Sequence, residues 1–187
     1  MVRYTRTAML FHWLIAVLIV ANVGLAWVWP TLDDGVRPLI DTHKSIGITV
    51  LGLTIMRVLW RLTHRPPPLP HGYKRWETYA SGATHFLLYL IMFGLPLTGW
   101  IMDSAWKSAG ENPMSLFGLF EWPRIGAVMS LDPATKESVH DGFGMAHGNL
   151  AVILYALFAL HVLGALKHQF WDGERELQRM LPGRQAG

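Results

Sequence analysis

Residues 142–167 read GFGMAHGNLAVILYALFALHVLGALK, with no carboxylate, arginine or lysine before the final position. As a helix rising ~1.5 Å per residue, this run is ~39 Å long and exceeds the ~30 Å hydrocarbon core of a bilayer. It therefore reads as a membrane span. It carries two histidines, His147 and His161, fourteen residues apart. On a helix they lie ~21 Å apart along the axis and only ~40° from the same face. An imidazole embedded in lipid is costly to leave idle, so it faces a partner, a cavity or a bound group.

Three other runs reach spanning length, roughly Ala8–Trp29, His43–Leu62 and Ala80–Met102. The first follows Arg3 and Arg6 but ends in Trp27-Val28-Trp29-Pro30 without a small-residue cleavage site, so it reads as a retained helix and not a signal peptide. The second stops at Arg65-Pro66-Pro67-Pro68, which no helix continues through. Pro96 should kink the third. The fourth is expected to start before Gly142, because Asp132-Pro133 is an N-cap followed by a first-turn proline.

Of 187 residues, 51% are hydrophobic and 16% charged, against ~25% charged in an average soluble domain. The expected fold is all-α, a four-helix transmembrane bundle forming one domain over residues 1–187. A β-barrel is excluded because the apolar runs are continuous and do not alternate. Cysteine is absent, which removes disulfides, thiolate clusters and covalent haem attachment. The pI near 9.4 reflects basic residues beside helix ends, which suit membrane lipid head groups and not nucleic acid.

Eleven Lys and Arg residues fall on the side of the termini and the loop after the second span, among them Arg3, Arg6, Arg57, Arg61, Arg65 and Arg184. Five fall opposite (Arg37, Lys44, Lys107, Arg124, Lys136), together with nine of thirteen acids, from Asp33 to Asp141. Both termini are thus expected in the cytoplasm. The long loop at about 103–138, rich in Gly, Pro and aromatics, is expected to pack over the outer face. Residues 174–181 are expected to form a short surface helix.

Sorting the nine histidines by depth gives two pairs at matched levels, His12 with His161 on the inner side and His43, opening the second span, with His147 on the outer side. Each pair offers two imidazoles from different helices, which suits axial ligation of a haem between them. His140 competes with His147, and His168 with His161, both from more polar surroundings. His85, on the inner half of the third span, would contact a haem propionate, a quinone, or only a neighbouring helix. His64 and His71 fall in the proline-rich loop and read as solvated. Arg57 and Arg61 share one face of the second span. Arg57 either meets a propionate or snorkels to the head groups. Gly24, Gly47 and Gly52 leave room for a flat macrocycle or for close helix packing.

These residues resemble the bacterial cytochrome b561 family of small four-helix di-haem membrane proteins, related to the cytochrome b subunits of nickel–iron hydrogenases and formate dehydrogenases. The resemblance rests on Phe11-His12-Trp13-Leu14, Arg37-Pro38-Leu39-Ile40 before His43, the stretch from His43 through Gly47 and Arg57 to Arg61-Leu62, Gly94-Leu95-Pro96-Leu97-Thr98-Gly99, and His147 with His161 ahead of His168-Gln169-Phe170-Trp171. It implies two haem b groups on the same histidine pairs. In the cytochrome b of bc complexes two helices each supply a spaced pair, whereas here only the last span does.

The resemblance further implies, as one family activity, oxidation of superoxide at the outer face with reduction of ubiquinone, in the bacterial inner membrane. Arg37 and Lys44, flanking His43, are the expected guides for an anionic donor, with Lys107, Arg124 and Lys136 behind them. Five basic against nine acidic residues on that face would require a local positive funnel. The other functional class is a membrane anchor and electron conduit for a separate dehydrogenase or periplasmic protein partner. Trp13, Tyr89 and Trp100 are aromatic candidates for a quinone site.

Overall fold

A computed structural model describes residues 2–32, 35–68 and 72–181. Asp33, His71 and Arg184, weighed above, lie outside these. The chain forms α1 (Arg6–Val28), α2 (Val36–Thr63), α3 (Arg75–Ser104), a two-stranded hairpin of β1 (Ser115–Leu116) and β2 (Phe120–Glu121), α4 (Gly126–Met129), α5 (Pro133–Phe170) and α6 (Glu176–Met180). α1, α2, α3 and α5 are long and apolar enough to cross a membrane. Between 11% and 28% of their apolar windows is buried inside the protein, so lipid must cover the rest.

Local chemistry sets the helix ends. Thr5 caps α1, its hydroxyl accepting from the Ala8 amide at 3.2 Å. Asp132 caps α5 through the Ala134 and Thr135 amides, both at 3.1 Å, as the Asp-Pro signal predicts. Three boundaries differ from the hydropathy reading. α2 begins seven residues before His43, at Val36, because Gly35 at φ +74° turns the chain and Pro38 falls in the first turn, where no amide is needed. His43 is therefore two turns inside α2. α3 begins at Arg75, where Glu77 accepts the Lys74 amide at 2.8 Å, and it continues helical on both sides of Pro96. α5 runs 38 residues, ~57 Å.

The bundle is two helix pairs. α1 packs on α2 and α3 packs on α5, while α2 joins the pairs by packing on α3. Among the described residues α5 makes no comparable backbone packing with α1 or α2. Ile15, Ile46, Val50, Leu53 and Met92 form the core where α1, α2 and α3 meet. Across the α1–α5 gap the contacts are long side chains, such as Trp27 with Tyr155, whose rings lie 5.6 Å apart.

The loop after α3 is a cap, as its composition predicts. Buried Ser45 on α2 accepts the Phe117 amide at 2.9 Å and shares its hydroxyl proton between the Asp41 carbonyl at 2.8 Å and the Ser115 carbonyl at 3.1 Å. That clamp holds the hairpin turn, where Phe117 takes a left-handed φ of +52° at a cost of about 1–3 kcal/mol. Asp103, 5% exposed, meets Lys44 Nζ at 2.6 Å and Arg124 Nε at 2.8 Å. Arg124 also donates to the Ala109 and Asn112 carbonyls, each at 2.6 Å.

At the opposite end Lys167 joins Glu77 at 2.5 Å and Asp172 at 2.8 Å. The Lys167 hydrogen bond holds the Asp172 carboxyl below the usual aspartate range. α6 forms where a surface helix is expected, but its Arg179 is buried, donating to the Pro68 carbonyl at 2.7 Å.

Candidate functional site

Two histidine pairs reach across to α5, His12 of α1 facing His161 towards one end and His43 of α2 facing His147 towards the other. The ring centres of His12 and His161 are 6.1 Å apart with planes at 68°, and those of His43 and His147 are 6.1 Å apart at 70°. Two imidazoles sharing one metal through nitrogens at ~2.0–2.1 Å place their ring centres ~6 Å apart. Both pairs have that separation, and neither makes a hydrogen bond across it.

At the capped end the ring orientations are fixed from behind. His147 Nδ1 donates to the Leu95 carbonyl at 3.0 Å and lies 3.2 Å from the Thr98 hydroxyl. His43 Nδ1 donates to the Asn22 carbonyl at 3.2 Å. A proton held at Nδ1 leaves the Nε2 lone pair for a metal and raises ligand basicity. The Gly94–Gly99 motif thus has a local purpose. Leu95 and Thr98 hold the His147 ring, and a Cβ on Gly99 would press it at 3.3 Å. Sequence reasoning took the motif for a kink and a family mark and missed this cradle.

The other pair is held differently. His12 Nδ1 lies 3.3 Å from Arg57 Nη1, and His85 stands with its ring centre 5.2 Å from that of His161. His85 Nδ1 bonds the Ser81 carbonyl at 2.8 Å. His12, His85, His161, Arg57 and Tyr89 line one cleft, closed off by Met92 and Phe158. Arg57 points inward and does not snorkel, for its guanidinium lies 5.6 Å from the Tyr89 ring centre, with that of Arg61 at 6.0 Å. The buried Tyr89 hydroxyl and Thr54 hydroxyl have no hydrogen-bond partner among the described residues. The orphaned Tyr89 hydroxyl beside the His12–His161 pair and the inward guanidinium of Arg57 suit a planar metal chelate with acidic side arms, so the residues fit a haem.

Neither rival histidine faces a second imidazole among the described residues. His140 Nδ1 bonds the Met102 carbonyl at 3.0 Å. His168 bonds Asp172 at 2.7 Å and stacks on Tyr73 with ring centres 4.0 Å apart. His64 is exposed and stacks on Trp60. Gly52 lies opposite His43 on α2, nine residues or ~180° away, and is exposed, with open space where a Cβ would go. No neighbouring helix packs against it among the described residues. Arg37 pairs with Asp41 at 3.0 Å and Lys44 with Asp103, so the two expected guides are largely neutralised. Trp13 and Trp100 spend their indole donors on the Met180 and Pro123 carbonyls; the Trp13 ring lies 5.2 Å from that of His12 and the Trp29 ring 5.0 Å from that of His43, while Tyr89 lines the inner cleft.

Residues 3–183 match the protein family described as prokaryotic cytochrome b561. The chain is 34% identical over 183 residues to cytochrome b561 homolog 2 of Escherichia coli (strain K12), covering 96% of this chain and 91% of that one. It is 25% identical over 187 residues to cytochrome b561 homolog 1 of the same organism, covering 97% and 98%. It is also 25% identical over 174 residues to the probable superoxide oxidase CybB of Yersinia pestis, covering 91% of each. A b-type haem is the cofactor such a match implies, and four apolar helices with imidazoles paired inside them are the frame it needs. The chain belongs to the prokaryotic cytochrome b561 family, membrane proteins of electron transfer.

Proposed function

We propose that the protein holds two b-type haems, one between His12 and His161 and one between His43 and His147, and moves single electrons between a small donor at the capped end and the quinone pool. The observation that carries this reading is the equal 6.1 Å separation of both imidazole pairs. His12, His161, His43 and His147 would hold these groups, and a haem bound between two imidazoles would supply one-electron chemistry.

The surrounding residues divide the work. The Leu95 and Asn22 carbonyls orient the rings of the capped pair. Arg57, with Arg61 beside it, offers guanidinium to a propionate, and His85 keeps Nε2 for a propionate or quinone oxygen. The lysine and arginine distribution supports both termini in the cytoplasm of a bacterial inner membrane, with the cap outside.

Superoxide is the donor best supported, through the similarity to a probable superoxide oxidase. The net reaction joins two superoxide ions, one ubiquinone and two protons to give two dioxygen molecules and one ubiquinol. Around Lys44 three cations (Arg37, Lys44, Arg124) face two carboxylates (Asp41, Asp103), a residual single positive charge that supports modest steering. A second reading, a membrane anchor and conduit for a protein partner, is favoured by the hairpin tip, where Phe117, Leu119 and Phe120 are 50%, 79% and 53% exposed.

A reduced-minus-oxidised spectrum with pyridine-haemochrome quantitation on the purified chain tests the haem content, with two haems per chain expected and one or none refuting it. Superoxide-driven pigment reduction with stoichiometric quinol formation by the isolated chain favours the first reading. A stable partner subunit that must be present for turnover favours the second.

A further inference from the structure

A second cleft opens beside the start of α1 and the end of α2, beyond the His12–His161 pair. Arg3, Arg57, Arg61 and Arg65 line it, with Trp60 and Tyr89. No carboxylate stands among its described lining residues. Arg57, Arg61 and Arg65 make no ion pair among the described residues, whereas Arg37, Lys44, Arg124, Lys167 and Arg179 each meet an acid within 4.0 Å. Arg57, Arg61 and Arg65 put three like charges in one concavity, which favours an anion there. Arg57 and Tyr89 also line the inner histidine cleft and can serve a carboxylate there. Arg61 and Arg65, both exposed, face the head-group level at the end of α2.

We propose that this cleft binds the phosphodiester head group of an anionic phospholipid. Two features favour a lipid over a soluble anion. The same turn of α2 presents Leu59 and Leu62, 58% and 77% exposed, an apolar flank for acyl chains beside the charged mouth. The mouth is also rigid. Trp60 Nε1 donates to the Thr5 hydroxyl at 3.1 Å and its ring stacks on His64 at 3.7 Å, while Arg3 donates to the Leu181 carbonyl. A preformed basic pocket between transmembrane helices at the interface matches head-group recognition.

Native mass spectrometry of the intact protein, reconstituted with equal amounts of phosphatidylglycerol and phosphatidylcholine, tests the proposal. The wild type should retain phosphatidylglycerol preferentially. At the strength usual for an interfacial basic residue, Arg65→Gln should lower that preference about fivefold, and Arg61→Gln with Arg65→Gln about 25-fold. Equal retention of the two lipids by the wild type overturns the proposal, as does an unchanged preference in both variants. Loss of the preference on adding 10 mM inorganic phosphate overturns it in favour of a soluble anion. If the double variant does not fold, Arg65→Gln alone, beyond the end of α2, decides. An optical spectrum of each sample keeps the two readings separate. Lipid preference in a pigment-free preparation supports the head-group site and refutes only the haems, whereas a fully pigmented protein without preference refutes only the head-group site.

Discussion

Replacing Asp103 by asparagine should release the cap over the His43–His147 end. The Asp103 side chain is 6% exposed and lies between Lys44 at 2.6 Å and Arg124 at 2.8 Å, with Arg124 itself 5% exposed. Removing one partner of a buried ion pair costs about 3–5 kcal/mol, because the other charge stays buried and unmatched. An asparagine oxygen still accepts one hydrogen bond, and Lys44, 18% exposed, can turn to water. The lower end, ~3 kcal/mol, is therefore expected, which at 1.36 kcal/mol per tenfold raises the open population of the cap ~10²-fold. Hydrogen–deuterium exchange on the purified protein reads this directly. The Trp122 amide, bonded to the Met114 carbonyl at 2.7 Å, and the Ile125 amide, bonded to the Ser104 hydroxyl at 3.0 Å, should exchange ~10²-fold faster while core amides of α2 and α3 hold their rates. Adding Lys44→Gln to Asp103→Asn should cost less than the sum of the single changes. Wild-type exchange at residues 105–125 in the single variant would refute the keystone role of Asp103.

His43→Ala or His147→Ala should halve the haem per chain and abolish one component of the redox titration, and His12→Ala or His161→Ala the other. Loss of a haem in His140→Ala but not in His147→Ala would show the capped pair to be misassigned. Gly99→Ala places a methyl 3.3 Å from the His147 ring. The resulting loss of about 1 kcal/mol from the Nδ1–carbonyl bond should raise one midpoint potential by about 40 mV and leave the other unmoved. Asp41→Asn frees Arg37, and one charge acting over ~8 Å should speed superoxide-driven reduction about twofold at 10 mM salt and not at 1 M; an equal rate at both would dismiss steering. Because Lys167 depresses the Asp172 carboxyl, that contact is at full strength above the ordinary aspartate range. It is lost as the pH falls through the lowered value, seen as faster exchange over residues 172–181 only in strong acid.

Hydropathy displayed the bundle because lipid imposes long uncharged runs, and the depth of each histidine followed from its place within a run. The helix starts were less visible. Val36–Thr42 is polar and contains Pro38, so the first two turns of α2 do not look like a span, although they are helical above the apolar stretch. The groups holding the imidazoles were hidden for another reason. Leu95 and Asn22 act through backbone carbonyls, which carry no residue signature, and Asp103, Lys44 and Arg124 meet from three separate segments.

One member of each histidine pair rides on α5, a single unbroken helix. Spacing and bearing between the two centres are thus written in residue count. Inserting one residue between His147 and His161 would advance the second by ~1.5 Å and swing it ~100° off the shared stripe, towards lipid and away from His12. That stretch should accept side-chain changes between the two histidines yet reject the insertion or deletion of a single residue.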